Sequence, residues 1–167
     1  LARPDSRPAL APQAIKMSAQ RAHNIAGLGQ IGGPVLGVAV QGHYAYVGVG
    51  PRLVVLDVSD PTDPSVAGQT GILPAIVQGV AVAGNYAYIT DWHGLRIVDI
   101  SDPTAPAEVG FCDTPGRGYD VAIAGHLAYV ADYDSGLRII DVSNPAAPVE
   151  VGFYDSPAYA YGVAVAG

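Results

Sequence analysis

Residues Val80–Phe111, VAVAGNYAYITDWHGLRIVDISDPTAPAEVGF, decide the fold of this chain. They contain four short apolar runs separated by turn residues. Gly84-Asn85 suits a two-residue hairpin turn, because such turns need positive φ. The stretch 101–106 breaks the chain again, since proline cannot donate to a strand ladder and aspartate favours local turn bonds. The pattern predicts four short antiparallel strands.

The same pattern recurs along the 167 residues at a nearly fixed spacing. Four strands in about 42 residues form the unit of a propeller blade. We therefore predict an all-β fold, a β-propeller built from four-stranded antiparallel blades of about 42 residues. A β-solenoid is the weaker alternative, because its coils repeat at shorter periods and lack these hairpin turns. Equivalent residues that lie 41 or 42 apart include Asp57, Asp99 and Asp141; Pro61, Pro103 and Pro145; and Gly42, Gly84, Gly125 and Gly167.

The repeats predict how the chain is organised. Residues 1–23 are rich in Pro and Ala and are predicted to be a flexible linker or leader remnant. Residues 24–167 are predicted to be a partial propeller. Because closed propellers contain four to eight blades, we expect an incomplete ring, with the remaining blades on the same chain. Self-association that completes the ring is the alternative. The predicted parts are a closing strand at 24–30, repeats at 35–70, 79–113 and 120–155, and the start of a further repeat at 162–167.

Composition narrows the function classes. The net charge is −7, from 15 acidic and 8 basic residues, which disfavours a nucleic-acid partner. No apolar stretch approaches the length of a membrane span in this segment. The single cysteine, Cys112, excludes an internal disulfide and a cysteine-based metal site. No nucleophile elbow or phosphate-cradling glycine loop is present.

The third strand of each repeat carries the motif LRIVDIS at 95–101, with LVVLDVS at 53–59 and LRIIDVS at 137–143. These motifs resemble the LVIVD repeat family of bacterial and archaeal surface-type propellers, and the resemblance covers roughly residues 24–167. It implies a secreted or cell-surface bacterial protein. The first repeat departs from the pattern at residues 48–51 and at Val54, which replaces Arg96 and Arg138; such divergence is typical of a terminal repeat.

Repeated aspartates offer two candidate sites. Asp57, Asp99 and Asp141 end the third strands and are predicted to cap their own turns; a cation-binding ring of carboxylates is the alternative. Asp132 and Asp134 begin a D-x-D-x-G pattern, as in calcium loops. No bidentate Glu follows them, so a polar hairpin loop is the competing interpretation. The sequence predicts no cofactor, and calcium at this loop is the alternative.

Aromatic residues fall on the variable loops and on the connections between repeats. Trp92, His93, Tyr133 and Tyr119 are predicted contacts for a protein or glycan ligand, because loops on a rigid scaffold commonly bind partners. Tyr159 and Tyr161 lie on the next connection. The alternative is that these side chains fill gaps between blades. His43 and His126 take the position of Asn85 in the hairpin turns and are expected to tolerate positive φ there.

These features predict a non-catalytic binding or interaction scaffold. The first alternative is a hydrolase or lyase with its site at the central channel, built partly by other blades. Of the positions that start each first strand, only Asp120 is ionisable; the others are Gly37, Gly79 and Gly162. The second alternative is a structural spacer in a long adhesin.

Overall fold

The computed structural model describes residues 33–166. The predicted linker at 1–23 and the predicted closing strand at 24–30 lie outside the described residues. The described part forms three four-stranded antiparallel sheets, in each of which the strands follow chain order from one edge to the other. We call them blade I, blade II and blade III. The prediction of an all-β fold made of four-stranded antiparallel blades is confirmed.

The strands of each blade lie where the apolar runs of the repeats fall. Blade I contains β1 (Val35–Gln41), β2 (Tyr44–Val49), β3 (Leu53–Asp57) and β4 (Ser65–Gln69). Blade II contains β5 (Gly79–Ala83), β6 (Tyr86–Asp91), β7 (Gly94–Asp99) and β8 (Ala107–Asp113). Blade III contains β9 (Asp120–Ala124), β10 (Leu127–Ala131), β11 (Leu137–Asp141) and β12 (Val149–Tyr154). Residues 161–166 follow without regular strand structure.

The hairpin between the first two strands of each blade depends on glycine. Gly42, Gly84 and Gly125 have φ of 61°, 58° and 59°, a conformation that glycine adopts without steric cost. The expectation that His43 and His126 tolerate positive φ is wrong. The glycine one position earlier supplies the left-handed residue, so the turn needs nothing special from the histidine.

Neighbouring blades pack face to face through two different surfaces. The tyrosine face of a blade carries Tyr46 and Val55 in blade I, or Tyr88 and Ile97 in blade II. The aliphatic face of the next blade lies against it. The first interface buries Val80, Ala87, Ile89, Val98 and Ile100 of blade II; the second buries Val121, Ala128, Val130, Ile140 and Val142 of blade III. Tyrosine and aliphatic side chains therefore pack together into one apolar core between each pair of neighbouring blades.

Blade I shows what this packing contributes. Val38 on its aliphatic face is 61% exposed, whereas its counterparts Val80 and Val121 are 8% and 5% exposed. On the opposite side of the row, Tyr129 is only half-buried, although its counterpart Tyr88 is buried. Blade II is thus covered on both faces, whereas blade I and blade III, at the ends of the described row, are each covered on one face.

The up-and-down order of the strands separates two ends of the molecule. The loops between second and third strands and the connections between blades lie at one end, which we call the loop end. The turns between first and second strands and between third and fourth strands lie at the other, the turn end. The loop end therefore gathers every variable segment of the repeats.

Candidate functional site

All four predicted contact residues lie at the loop end. Trp92 and His93 are on the β6–β7 loop, Tyr133 is on the β10–β11 loop, and Tyr119 precedes β9. The structure brings Tyr119 and Tyr133 together, with ring centroids 5.3 Å apart. Trp92 lies on blade II, and its ring contacts Arg117 instead.

Four tyrosines form one cluster, which we call the tyrosine cluster: Tyr119, Tyr133, Tyr159 and Tyr161. Tyr133 and Tyr159 are stacked, with centroids 4.2 Å apart and an interplanar angle of 7°. Tyr161 meets Tyr119 and Tyr133 edge to face, at 5.3 and 5.5 Å. Tyr159 and Tyr161 are each 59% exposed, so the cluster presents aromatic surface to solvent and does not merely fill a gap.

The backbone fixes the orientation of Tyr133. Its φ of 49° makes it the only non-glycine residue with positive φ in residues 33–166. Tyr133 and Ala160 exchange backbone hydrogen bonds of 3.1 and 2.8 Å, which hold the β10–β11 loop against the segment after β12. Desolvation, followed by its contacts with Tyr161 and Tyr159, raises the pKa of Tyr133 to about 12. Its phenol therefore remains protonated and neutral at physiological pH.

Blade II carries a corresponding pair. The Arg117 guanidinium lies 5.6 Å from the Trp92 ring centroid, within cation–π range. Trp92 is 49% exposed, and Arg117 is exposed as well. The His93 side chain is 55% exposed and lies 3.8 Å from Asp91. In repeat register Trp92 corresponds to Tyr133, and Arg117 corresponds to Tyr159, so both blades place a pair of planar groups at the same position.

Beneath Trp92 lies a buried charge network that sequence reasoning missed. Arg96 donates to Asp91 at 2.5 Å and to Glu108 at 2.8 Å, and its guanidinium lies 4.3 Å from the Phe111 centroid. Asp91 is fully buried. Burial lowers the pKa of Arg96, but the hydrogen bonds that Arg96 donates to Asp91 and Glu108, together with their negative charges, outweigh it and hold the pKa above its ordinary value.

Blade III repeats this network with looser geometry. Arg138 pairs with Asp155 at 3.0 Å and with Glu150 at 3.6 Å. Its Nε is buried without a hydrogen-bond partner, 3.8 Å from Asp132. Blade I has no such network, because the positions equivalent to Asp91, Arg96, Glu108 and Phe111 carry Val49, Val54, Val66 and Gln69. The joint replacement of these four residues in the first repeat is the sequence signal that could have revealed the network.

The two predicted calcium ligands have very different surroundings. Asp132 is fully buried, and its two carboxylate oxygens accept hydrogen bonds from the Thr114 hydroxyl at 2.6 Å and the Gly116 amide at 2.8 Å. Asp134 is exposed at the loop tip. Desolvation raises the pKa of Asp132, against the lowering effect of those hydrogen bonds. The described part of the chain contains no group of three or more His, Cys, Asp or Glu side chains arranged to hold a metal ion, and calcium binding at this loop stays an untested alternative.

The predicted turn caps all adopt the same geometry at the turn end. A carboxylate oxygen of Asp57, Asp99 or Asp141 accepts a hydrogen bond from the amide two residues later, at 2.8 to 2.9 Å. This is the geometry of an Asx turn. That amide bond is the main cause that lowers the pKa of each of the three carboxyl groups.

Asp120 is the ionisable residue among the positions that start the first strands, and its carboxylate forms hydrogen bonds on both sides of the connection that follows blade III. Its carboxylate accepts hydrogen bonds from its neighbour Val121 at 2.9 Å and from Val163 at 3.0 Å. Val163 belongs to the segment predicted to begin a further repeat. Asp120 thus joins blade III to the following segment. No helix in the described residues is long and apolar enough to cross a membrane.

Comparison with known proteins agrees with the repeat architecture. A family model described as LVIVD repeat matches residues 32–70, 75–114 and 115–156. No curated protein matches the chain. Among solved structures, the chain is similar to the computationally designed Ika4 protein, with a TM-score of 0.67 and 9% identity over 81% of both chains. It is also similar to the computationally designed Ika8 protein, with a TM-score of 0.64 and 9% identity over 80% of this chain and 40% of that one. At 9% identity these likenesses concern the fold alone. With the three stacked blades, they confirm the predicted β-propeller fold class.

Proposed function

The chain belongs to the LVIVD repeat family, and we propose that it is a non-catalytic binding scaffold whose loop end holds a protein or glycan ligand. The observation that carries the proposal is the exposed aromatic surface at that end. Trp92 lies against Arg117, and Tyr159 is stacked on Tyr133. Trp, Tyr and Arg are the side chains that most often dominate binding energies.

The scaffold beneath this surface supports the proposal. Trp92 follows Asp91 directly, and Asp91 is fixed by Arg96 in the buried network. Tyr133 is fixed by its paired hydrogen bonds to Ala160. Because the aromatic groups are already oriented, a ligand does not have to order them, and preorganisation of this kind increases affinity.

Asp120 favours binding over catalysis at the channel. A general acid or base must reach a proton on the substrate. Both Asp120 oxygens instead accept backbone hydrogen bonds, from Val121 and Val163. The family resemblance of the repeats supports a secreted or cell-surface bacterial location, which forms part of the proposal.

An array of immobilised oligosaccharides and peptides tests the proposed function. Wild-type protein is compared with Trp92→Ala and Tyr159→Ala, and with His126→Ala as a control at the turn end. We expect the two loop-end variants to lose binding while the control keeps it, with unchanged circular dichroism for all three. If the loop-end variants bind as well as wild type, or if only His126→Ala loses binding, the proposal is wrong.

A further inference from the structure

The planar groups at the loop end recur once per blade. Trp92 with Arg117 and Tyr133 with Tyr159 occupy equivalent positions, 41 and 42 residues apart in the sequence. Blade I has Gly50 and Ile76 at these positions, so the pairs are confined to blades II and III in the described residues. A ligand that uses both pairs must itself offer a repeated unit.

Each pair leaves part of its aromatic surface open. The Tyr133–Tyr159 stack covers one face of each ring, yet Tyr159 remains 59% exposed, and Trp92 remains 49% exposed. A flat aromatic face takes a flat apolar ligand face in stacked geometry. The C–H face of a pyranose ring has this shape and polarity, while its hydroxyls point outward around the rim.

Hydrogen-bond donors and acceptors lie near the Trp92–Arg117 pair and the Tyr133–Tyr159 pair. His93 and Asp134 are exposed beside Trp92 and Tyr133, respectively. The phenol of Tyr133, whose pKa is raised to about 12 chiefly by desolvation, adds a neutral hydroxyl. These groups match the hydroxyl rim of a sugar, which both donates and accepts.

Charge at the loop end argues for a neutral ligand. Arg117 is an exposed cation, but Asp113 and Asp134 are exposed carboxylates at the same end, and the chain carries a net charge of −7. A polyanion would meet this negative charge without a compensating basic patch.

We infer that the loop end binds a linear neutral polysaccharide, one sugar ring stacking on Trp92 and another on Tyr159. The inference rests on the proposed binding function and names the ligand class. A protein partner would also use Trp, Tyr and Arg. The periodic placement of the pairs, more than their composition, therefore favours a polymer of identical rings.

Trp92 is the single tryptophan of the chain, so intrinsic fluorescence reports directly on the site. Wild-type protein is titrated with cellohexaose, chitohexaose and maltohexaose, with the corresponding disaccharides, and with hexagalacturonate as an acidic probe. We expect at least one neutral hexasaccharide to change Trp92 emission and to bind about tenfold or more tightly than its disaccharide, because a second contact on the same molecule raises the effective concentration.

Variants separate the two stacking positions. Tyr159→Ala should reduce hexasaccharide affinity to the disaccharide level, and Tyr154→Ala, an exposed tyrosine outside the tyrosine cluster, should leave it unchanged. Equal affinity for disaccharide and hexasaccharide, or tighter binding of hexagalacturonate, overturns the inference. If no saccharide binds but a peptide binds on the array in a Trp92-dependent way, the inference fails and the proposed function stands. If no ligand depends on the loop end, both fail.

Discussion

Arg96 provides the sharpest test of how the blades are held together. Its guanidinium is the only described cation that contacts both Asp91, whose side chain is fully buried, and Glu108, whose side chain is 33% exposed. Arg96→Met keeps a long apolar side chain against Phe111 but removes the charge. Asp91 would then be left buried with one amide hydrogen bond, from His93.

The expected loss of unfolding free energy follows from leaving the Asp91 carboxylate buried without a cation. Removing one partner of a buried ion pair typically costs about 3–5 kcal/mol. The Glu108 contact adds little, because a partly exposed pair contributes roughly 1 kcal/mol or less. We therefore expect Arg96→Met to lower the unfolding free energy by about 3 kcal/mol. Replacing Asp91, Arg96 and Glu108 together by valine, as blade I already has, should change it by only about 1 kcal/mol in either direction.

The assay is urea unfolding, followed in parallel by far-ultraviolet circular dichroism and by Trp92 fluorescence, since Trp92 adjoins Asp91. The slope of free energy against urea should be the same in all variants if the folded state is preserved. The reasoning is refuted if Arg96→Met loses less than about 1 kcal/mol, or if the triple variant is as unstable as the single one.

Four further measurements test the packing, the titrating groups and the calcium alternative. Gly79→Ala should lower the unfolding free energy by about 1–3 kcal/mol, because a Cβ there meets the backbone of the next blade, whereas Gly71→Ala, whose Cβ meets nothing, should not; equal urea midpoints would contradict this. The pKa of Asp99 is below 3.8 in the folded state. Its ionised carboxylate therefore stabilises the fold at pH values above the unfolded-state pKa, and this stabilisation is lost as the pH falls through the lower folded-state pKa. Asp99→Asn should flatten the dependence of the unfolding free energy on pH over that range. The pKa of Asp132 is raised by burial, so its ionisation opposes folding and the penalty disappears as the pH falls through the raised value; an NMR titration midpoint below 3.8 would show the sign to be wrong. Millimolar calcium should leave the melting temperature unchanged, because Asp132 already accepts two hydrogen bonds; a rise that Asp134→Ala abolishes would establish the calcium site instead.

Much of the fold could be predicted from local chemistry that repeats. Each hairpin glycine and each proline-containing turn marks a strand end on its own, without knowledge of the tertiary structure. The aspartates that end the third strands form their bonds two residues away, within reach of a purely local argument. Because these local signals recur every 41 or 42 residues, they predict a series of similar blades.

The rest required knowing which residues face each other across strands and blades. Arg96, Asp91 and Glu108 lie on three different strands, and only the sheet register brings them together. Nothing in the sequence places Tyr159 over Tyr133, so the stack of the two rings could not be predicted. The positive φ of Tyr133 is set by its pairing with Ala160 across the blade connection, which no local pattern encodes.

The two ends of the molecule differ in how freely they change from blade to blade. At the turn end, Asp57, Asp99 and Asp141 form the same hydrogen bond in all three blades, because each turn depends on it for its shape. At the loop end, equivalent positions hold Gly50, Trp92 and Tyr133, while every blade keeps the same four antiparallel strands. A scaffold that keeps its folding signals at one end and its variable aromatic groups at the other can acquire a binding surface blade by blade. The contacts proposed for Trp92 and Tyr159 are therefore separable from stability, which is why their alanine variants are expected to lose ligand and keep the fold.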